Sequence, residues 1–258
     1  TALISGWVAM IIDGLVFLAA FTPRSRAYAQ AMDHTGLYPQ HVITFGDPAN
    51  DNPVAHENTV HGNVNCDGET LFLPDLSMPL DQTLARFPSD ISHVNAAHAD
   101  DPELRSYISA NAHLAIIYSG YGGQIIGADT LAAAAPFIHM HCGWLPDFRG
   151  STTIYYSWLA GEKAGATALI LDPKIDTGPI LAKRQYPNPP VAINIDHVYD
   201  GALRADILVR VLREIADKGA LSKGSSQDTV GTTYFVMHPV LRHIASLHGR
   251  RSDIKLES

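Results

Sequence analysis

The chain has 258 residues, 46% of them hydrophobic and 17% charged, and 18 Lys and Arg against 26 Asp and Glu leave a net charge of −8. This composition excludes a disordered or collagen-like chain and is long enough to bury a core without staples. The negative balance disfavours a nucleic-acid partner, because phosphate binding needs a concentrated basic surface.

Residues 2–21 are mostly apolar, but Gly6, Asp13 and Gly14 interrupt the run. No basic segment precedes it and no small-residue cleavage pattern closes it, so a buried first strand is expected rather than a signal or membrane segment. Gly14–Ala20 has the length of that strand. A helix over 23–34 follows, with Pro23 at its start and Gly36 at its stop, and His41–Phe45 is the next strand before Gly46-Asp47-Pro48. A β-α-β beginning of this kind argues for a mainly parallel sheet with crossover helices. Residues 47–80 lose all periodicity, which predicts a functional flap or mobile loop.

Further along, Asp101-Pro102-Glu103 supplies the cap and first turn of a helix over 101–111. Leu114–Tyr118 and Phe137–Met140 read as short buried strands, and Ser151–Ala160 as a helix with Ser151 as N-cap and Gly161 as stop. Ala166–Leu171 and Pro179–Ala182 are further strands. The clearest helix covers 196–218, capped by Asp196, ended by Gly219 and striped by Val198, Leu203, Ile207, Leu208, Val211, Leu212 and Ile215. A Gly/Ser-rich linker over 220–232 and a short apolar segment over 234–247 close the chain. The expected organisation is one catalytic domain over 1–219, with 220–258 packed on it as a linker and extension.

In open parallel sheets, ligands bind at the carboxyl ends of the strands. Three such ends carry unusual residues: Ser119-Gly120-Tyr121-Gly122-Gly123, the stretch from His139 to Gly150, and the stretch from Asp172 to Pro179. His141 with Leu145-Pro146 and Arg149-Gly150, then Gly165-Ala166-Thr167, then Asp176-Thr177-Gly178, together resemble the signature of the folate-dependent formyltransferases. That family includes glycinamide ribonucleotide, methionyl-tRNA and sugar N-formyltransferases, and the resemblance covers about residues 114–182.

The resemblance implies a Rossmann-like α/β fold with helices on both faces of the sheet. It implies transfer of a formyl group from 10-formyltetrahydrofolate to an amine, through a developing oxyanion that needs a hydrogen-bond donor and a proton acceptor. His141 and Asp176 carry over as the catalytic pair. His139 stands where the family has asparagine; imidazole also donates to an oxyanion but titrates near neutrality. Tyr118, Ser119, Gly120, Tyr121, Asp172 and Ile175 carry over as the folate-binding positions. The methionyl-tRNA enzymes have a further RNA-binding domain, so a small-molecule amine, not a nucleic acid, is the expected acceptor. A cytoplasmic location is expected, with no membrane partner and self-association left open.

Other readings stand beside these. His139 either does chemistry or packs as a structural residue, and His139, His141 and Asp176 together could hold a divalent metal or serve a hydrolytic reaction. Cys142 reads as a packing residue rather than a nucleophile. Arg149 reads as scaffold before anion ligand. Gly120, Gly122 and Gly123 lack the residues of a P-loop. His56, His61 and Cys66 read as loop residues, not a zinc site. Tyr155, Tyr156 and Trp158 read mostly as core.

Overall fold

The computed structural model describes residues 9–52, 60–66, 69–190, 192–227 and 231–250. Met10–Ala20 (β1) leads through Pro23–Thr35 (α1) into Leu37–Phe45 (β2). Thr22 caps α1 by accepting from the Ser25 N–H at 3.2 Å, Pro23 opens its first turn, and Gly36 closes it at φ 68°. Gly62–Cys66 (β3), Glu69–Leu73 (β4), Leu80–Leu84 (α2), Asp90–Val94 (β5) and Pro102–Asn111 (α3) come next. Ala115–Ser119 (β6), Ala128–Ala133 (α4), Phe137–His141 (β7), Phe148–Gly150 (β8), Thr153–Leu159 (α5) and Ala164–Ile170 (β9) follow. The last elements are Ile180–Tyr186 (β10), Asp200–Lys218 (α6), Thr232–Tyr234 (β11) and Pro239–Arg250 (α7).

The main sheet has seven strands in the order β10-β9-β7-β6-β1-β2-β5. The five strands from β7 to β5 run parallel, β9 runs antiparallel to β7, and β10 antiparallel to β9. β1 pairs with β2 on one side and β6 on the other, so the chain changes winding direction between β1 and β6. The carboxyl ends there form the crevice where such sheets bind ligands. Gly14 produces a register shift within β1; its φ is 69°, and a side chain would press on Leu114.

Period-two alternation builds two cores. Leu15, Phe17, Ile117, Ile138 and Met140 pack under α1 and α6, with Tyr28, Met32, Leu203, Ile207 and Leu212. Val16, Leu18, Ile43, Ile116 and Phe137 pack on the opposite face with Leu104 and Ile108 of α3. Helices therefore cover both faces of a mainly parallel sheet, as the sequence predicts.

The stretch 47–80 departs from the expectation. It holds a turn at Pro48–Asn50 and the antiparallel β3–β4 hairpin, and Leu71 and Leu73 of β4 are buried in the core while Phe72 stacks on His34 at 4.5 Å. Asn and Gly in β3 hide the alternation. His56 lies outside the described residues. β5 was not anticipated because it is a polar edge strand whose Ile91 is exposed. Two caps also differ. Thr152, not Ser151, precedes α5, at φ 52°, and its hydroxyl accepts from the Met237 N–H at 3.0 Å. Asn194, not Asp196, caps the turn entering α6 by accepting from the His197 N–H at 3.0 Å. Asp196 instead accepts from the Tyr155 hydroxyl at 2.7 Å and pairs with Arg242.

The C-terminal segment returns to the sheet's business end. β11 pairs with β8, Ser225 bridges Ile180, and α7 lies on α5 with Gly249 against the Trp158 indole. A Gly249→Ala substitution puts its methyl into that ring. Overpacking of this kind costs about 1–3 kcal/mol, so urea denaturation should show a lower midpoint with altered Trp emission; an unchanged midpoint would show that α7 does not dock there in solution.

Candidate active site

β7 carries alternate residues to opposite faces, so Ile138 and Met140 enter one core while His139 and His141 share the other side. His141 is buried and its Nε2 lies 2.8 Å from the Phe148 carbonyl oxygen. A carbonyl only accepts, so the proton sits on Nε2. Nδ1 then turns a lone pair toward Asp176 Oδ2, 3.4 Å away. Two acceptors facing each other are arranged to receive one proton between them.

Asp176 is held as firmly. It is 8% exposed, sits at φ 53°, and its Oδ2 accepts from the Gly150 N–H at 2.9 Å. Its own carbonyl and that of Gly178 accept from the Gln227 amide at 3.1 and 2.7 Å. Gly143 is glycine because a Cβ there would collide with the His141 ring and the Phe148 carbonyl. The loop it opens is pinned by Thr167, whose hydroxyl donates to the Gly143 carbonyl at 2.7 Å and accepts from the Leu145 N–H at 3.2 Å.

Burial pushes the His141 imidazole below its ordinary range, partly offset by Asp176. His139 is held well below that range, first by burial and then by Arg204, Arg24 and His141. Both rings are therefore neutral near pH 7. The ligating atoms of His139, His141 and Asp176 all lie within 4.8 Å of one another, a geometry that could also hold a divalent ion.

The remaining expected positions fall around this centre. Tyr118 and Ser119 end β6; the Tyr118 hydroxyl fills the space a Cβ on Gly120 would need, and the Ser119 hydroxyl accepts from Ser25 Oγ at 2.9 Å. Tyr121 packs edge-on against Phe45 at 5.8 Å. Asp172 accepts from the Thr177 hydroxyl at 2.7 and 2.8 Å, shaping the turn that leads to Asp176. Ile175 is 52% exposed beside it. Arg149 is buried and donates to Gln227 Oε1 at 3.0 Å, which gives it a scaffold role. Cys142 is buried with its thiol pushed well above the usual range, first by desolvation, an environment that keeps the thiol protonated. Tyr156 packs on Tyr234 at 4.3 Å.

Sequence reasoning did not single out Arg24, Tyr28, Asp200 and Arg204, which lie under the same strand ends. Arg204 Nε donates to Asp200 at 2.7 Å and its Nη1 to the Met140 carbonyl. The i,i+4 spacing of that pair was the available signal.

Residues 78–198 match the sequence family described as formyl transferase. A methionyl-tRNA formyltransferase from Chloroflexus aurantiacus is 34% identical over 119 residues, 45% of this chain and 38% of that protein. The chain thus spans less than half the length of such relatives. A sugar N-formyltransferase from Shewanella sp. superimposes with a TM-score of 0.54 at 13% identity, over 91% of this chain and 87% of that one. HypX from Aquifex aeolicus in complex with tetrahydrofolic acid gives 0.53 at 13% identity, over 93% of this chain and 34% of that one. These likenesses show the fold.

The buried histidines set a pH dependence. A free imidazole titrates near pH 6.5, and the fold holds both rings lower, so the unfolded chain binds more protons as pH falls. Stability is fully present above about pH 6.5 and drops below it, by about 1.4 kcal/mol per pH unit for each proton. His139→Asn should flatten this slope between about pH 6.5 and 5 in urea titrations. A slope identical to wild type would show that His139 titrates normally in the fold.

Proposed function

We propose that this chain, whose residues 78–198 match the sequence family described as formyl transferase, transfers a formyl group from 10-formyltetrahydrofolate to the amine of a small molecule. The observation that carries the reading is the His141–Asp176 pair at 3.4 Å, with His139 beside it at the carboxyl end of β7. The acceptor nitrogen attacks the formyl carbon, forming the new C–N bond. A neutral His139 N–H donates to the developing oxyanion. The Nδ1 of His141, backed by Asp176, takes the amine proton and returns it to the folate nitrogen as that C–N bond breaks. The backbone of Tyr118, Ser119, Gly120 and Tyr121, with Asp172 and Ile175, forms the folate side in this reading. Residues 1–219 are read as the catalytic unit, with 220–258 as its packed extension.

A small acceptor is favoured over nucleic acid by the net charge of −8. No helix among the described residues is long and apolar enough to cross a membrane, and a cytoplasmic setting suits folate chemistry. A second reading, metal-assisted or hydrolytic, draws on the mutual reach of His139, His141 and Asp176; metal analysis of the purified protein separates it.

The test is release of tetrahydrofolate from 10-formyltetrahydrofolate with a panel of small amines. His141→Ala and Asp176→Asn should each lose about 10²–10⁴ in turnover, whereas His139→Asn should keep substantial transfer. Calorimetry with 5-formyltetrahydrofolate should show binding; silence at millimolar concentration sinks the folate assignment. Loss of metal and activity together in His139→Asn favours the second reading.

A further inference from the structure

Half-buried Arg24 differs from Arg26 and Arg204. Arg26 donates to Asp51 at 2.9 and 2.5 Å and to the Leu76 carbonyl at 2.6 Å. Arg204 is paired with Asp200 and bonded to the Met140 carbonyl. Arg24 has neither a hydrogen bond nor an ion pair among the described residues, and its Nε is shut away from solvent. A half-buried guanidinium whose Nε is shut away without a partner is open to a ligand that completes it.

Its surroundings say what that something is. Ser25 Oγ donates to the Ser119 carbonyl and hydroxyl at 3.3 and 2.9 Å, which sets the start of α1 over the end of β6. Arg204 reaches the carbonyl between His139 and His141. Arg24 is close enough to bear electrostatically on Tyr28, Tyr118, His139, Asp200 and Arg204. The Tyr28 and Tyr118 hydroxyls and the His139 Nδ1 are likewise buried without partners among the described residues. Burial pushes both phenols up to about 12, so they keep their protons and can donate. Of the carboxylates near these groups, Asp200 is taken by Arg204, Asp176 faces His141 and accepts from the Gly150 N–H, and Asp100 accepts from the Gly127 N–H. Arg24, without an ion pair among the described residues and with idle donors beside it, is placed to take an anion.

We propose that Arg24, with the Tyr118 hydroxyl, binds an oxyanion group — a carboxylate or a phosphate — carried by the acceptor amine. Assigning the anion to the acceptor rests on the formyl-transfer reading. The pterin is uncharged, and the glutamyl carboxylates of folate lie at the opposite end of that molecule from the formyl group, so an anion beside His139 comes with the other substrate. The anion site itself does not depend on that reading.

The experiment uses the full chain without folate. Thermal unfolding of wild type and Arg24→Met is followed in potassium chloride, acetate and inorganic phosphate at matched ionic strength. General salt effects act on both proteins and cancel in the comparison. Wild type should gain stability in acetate or phosphate beyond chloride, by mass action on the folded state, and Arg24→Met should lose that gain while being at least as stable in chloride. Tyr118→Phe should weaken binding of the effective anion about tenfold or more by calorimetry, as expected for one hydrogen bond to a charged group. A response to phosphate only, or to acetate only, identifies the acceptor's group. The proposal is overturned if wild type and Arg24→Met respond alike, or if neither anion is bound. Should Arg24→Met fail to fold, an unchanged affinity in Tyr118→Phe overturns it and a weakened one supports it. Anion binding without folate binding would keep the site and remove the formyl-transfer reading.

Discussion

The hydrogen bond from His141 Nε2 to the Phe148 carbonyl, 2.8 Å long, decides the chemistry of the site. It fixes the ring, and it fixes which nitrogen carries the proton, leaving Nδ1 as the acceptor opposite Asp176. Much of the surrounding structure serves to hold Phe148 where it is. Thr167 on β9 ties down both Gly143 and Leu145, so the antiparallel strand beside β7 braces the loop that returns to β8. β8 in turn is paired by β11, and Phe148 stacks on Tyr234 at 5.6 Å. The C-terminal segment is thus part of the frame that holds this pair rather than an appendage. Gln227 adds to this by bonding the backbone on either side of Thr177.

Parts of this were legible before any coordinates. The β1, α1 and β2 elements followed from an apolar run, a Pro at a helix start and a Gly at its end, because those signals are local. His139, His141 and Asp176 could be named from their motif spacing. Their meeting point depends on strands far apart in sequence, and the structure places the three groups within reach of one another. What the sequence hid has a physical reason in each case. β3 and β4 pair only with each other, and the burial of Leu71 and Leu73 depends on α1 and α6 closing over them. The capping role expected of Ser151 passed to a neighbour because the returning C-terminal chain engages Thr152. Arg24 gave no local sign at all: its lack of an ion pair is visible only beside Arg26 and Arg204, which have theirs.

The basic residues beneath the strand ends also bear on His139, which stands where the resembled formyltransferase motif has asparagine. An amide donates a hydrogen bond and never titrates near neutrality, whereas an ordinary imidazole does. His139 is no ordinary imidazole, because burial holds it neutral and the charges of Arg204 and Arg24 push in the same direction. In that environment a histidine keeps what an amide offers, a neutral hydrogen-bond donor, which is the role the formyl-transfer proposal gives it. The substitution is therefore chemically conservative here, although it would not be beside an unpaired carboxylate. Asp176 does not undo this, since its Oδ2 faces His141 and accepts from Gly150. The two histidines, two residues apart on one strand, thereby sit in different settings: His141 faces a carboxylate, and His139 is kept from gaining a proton by burial and the cations around it.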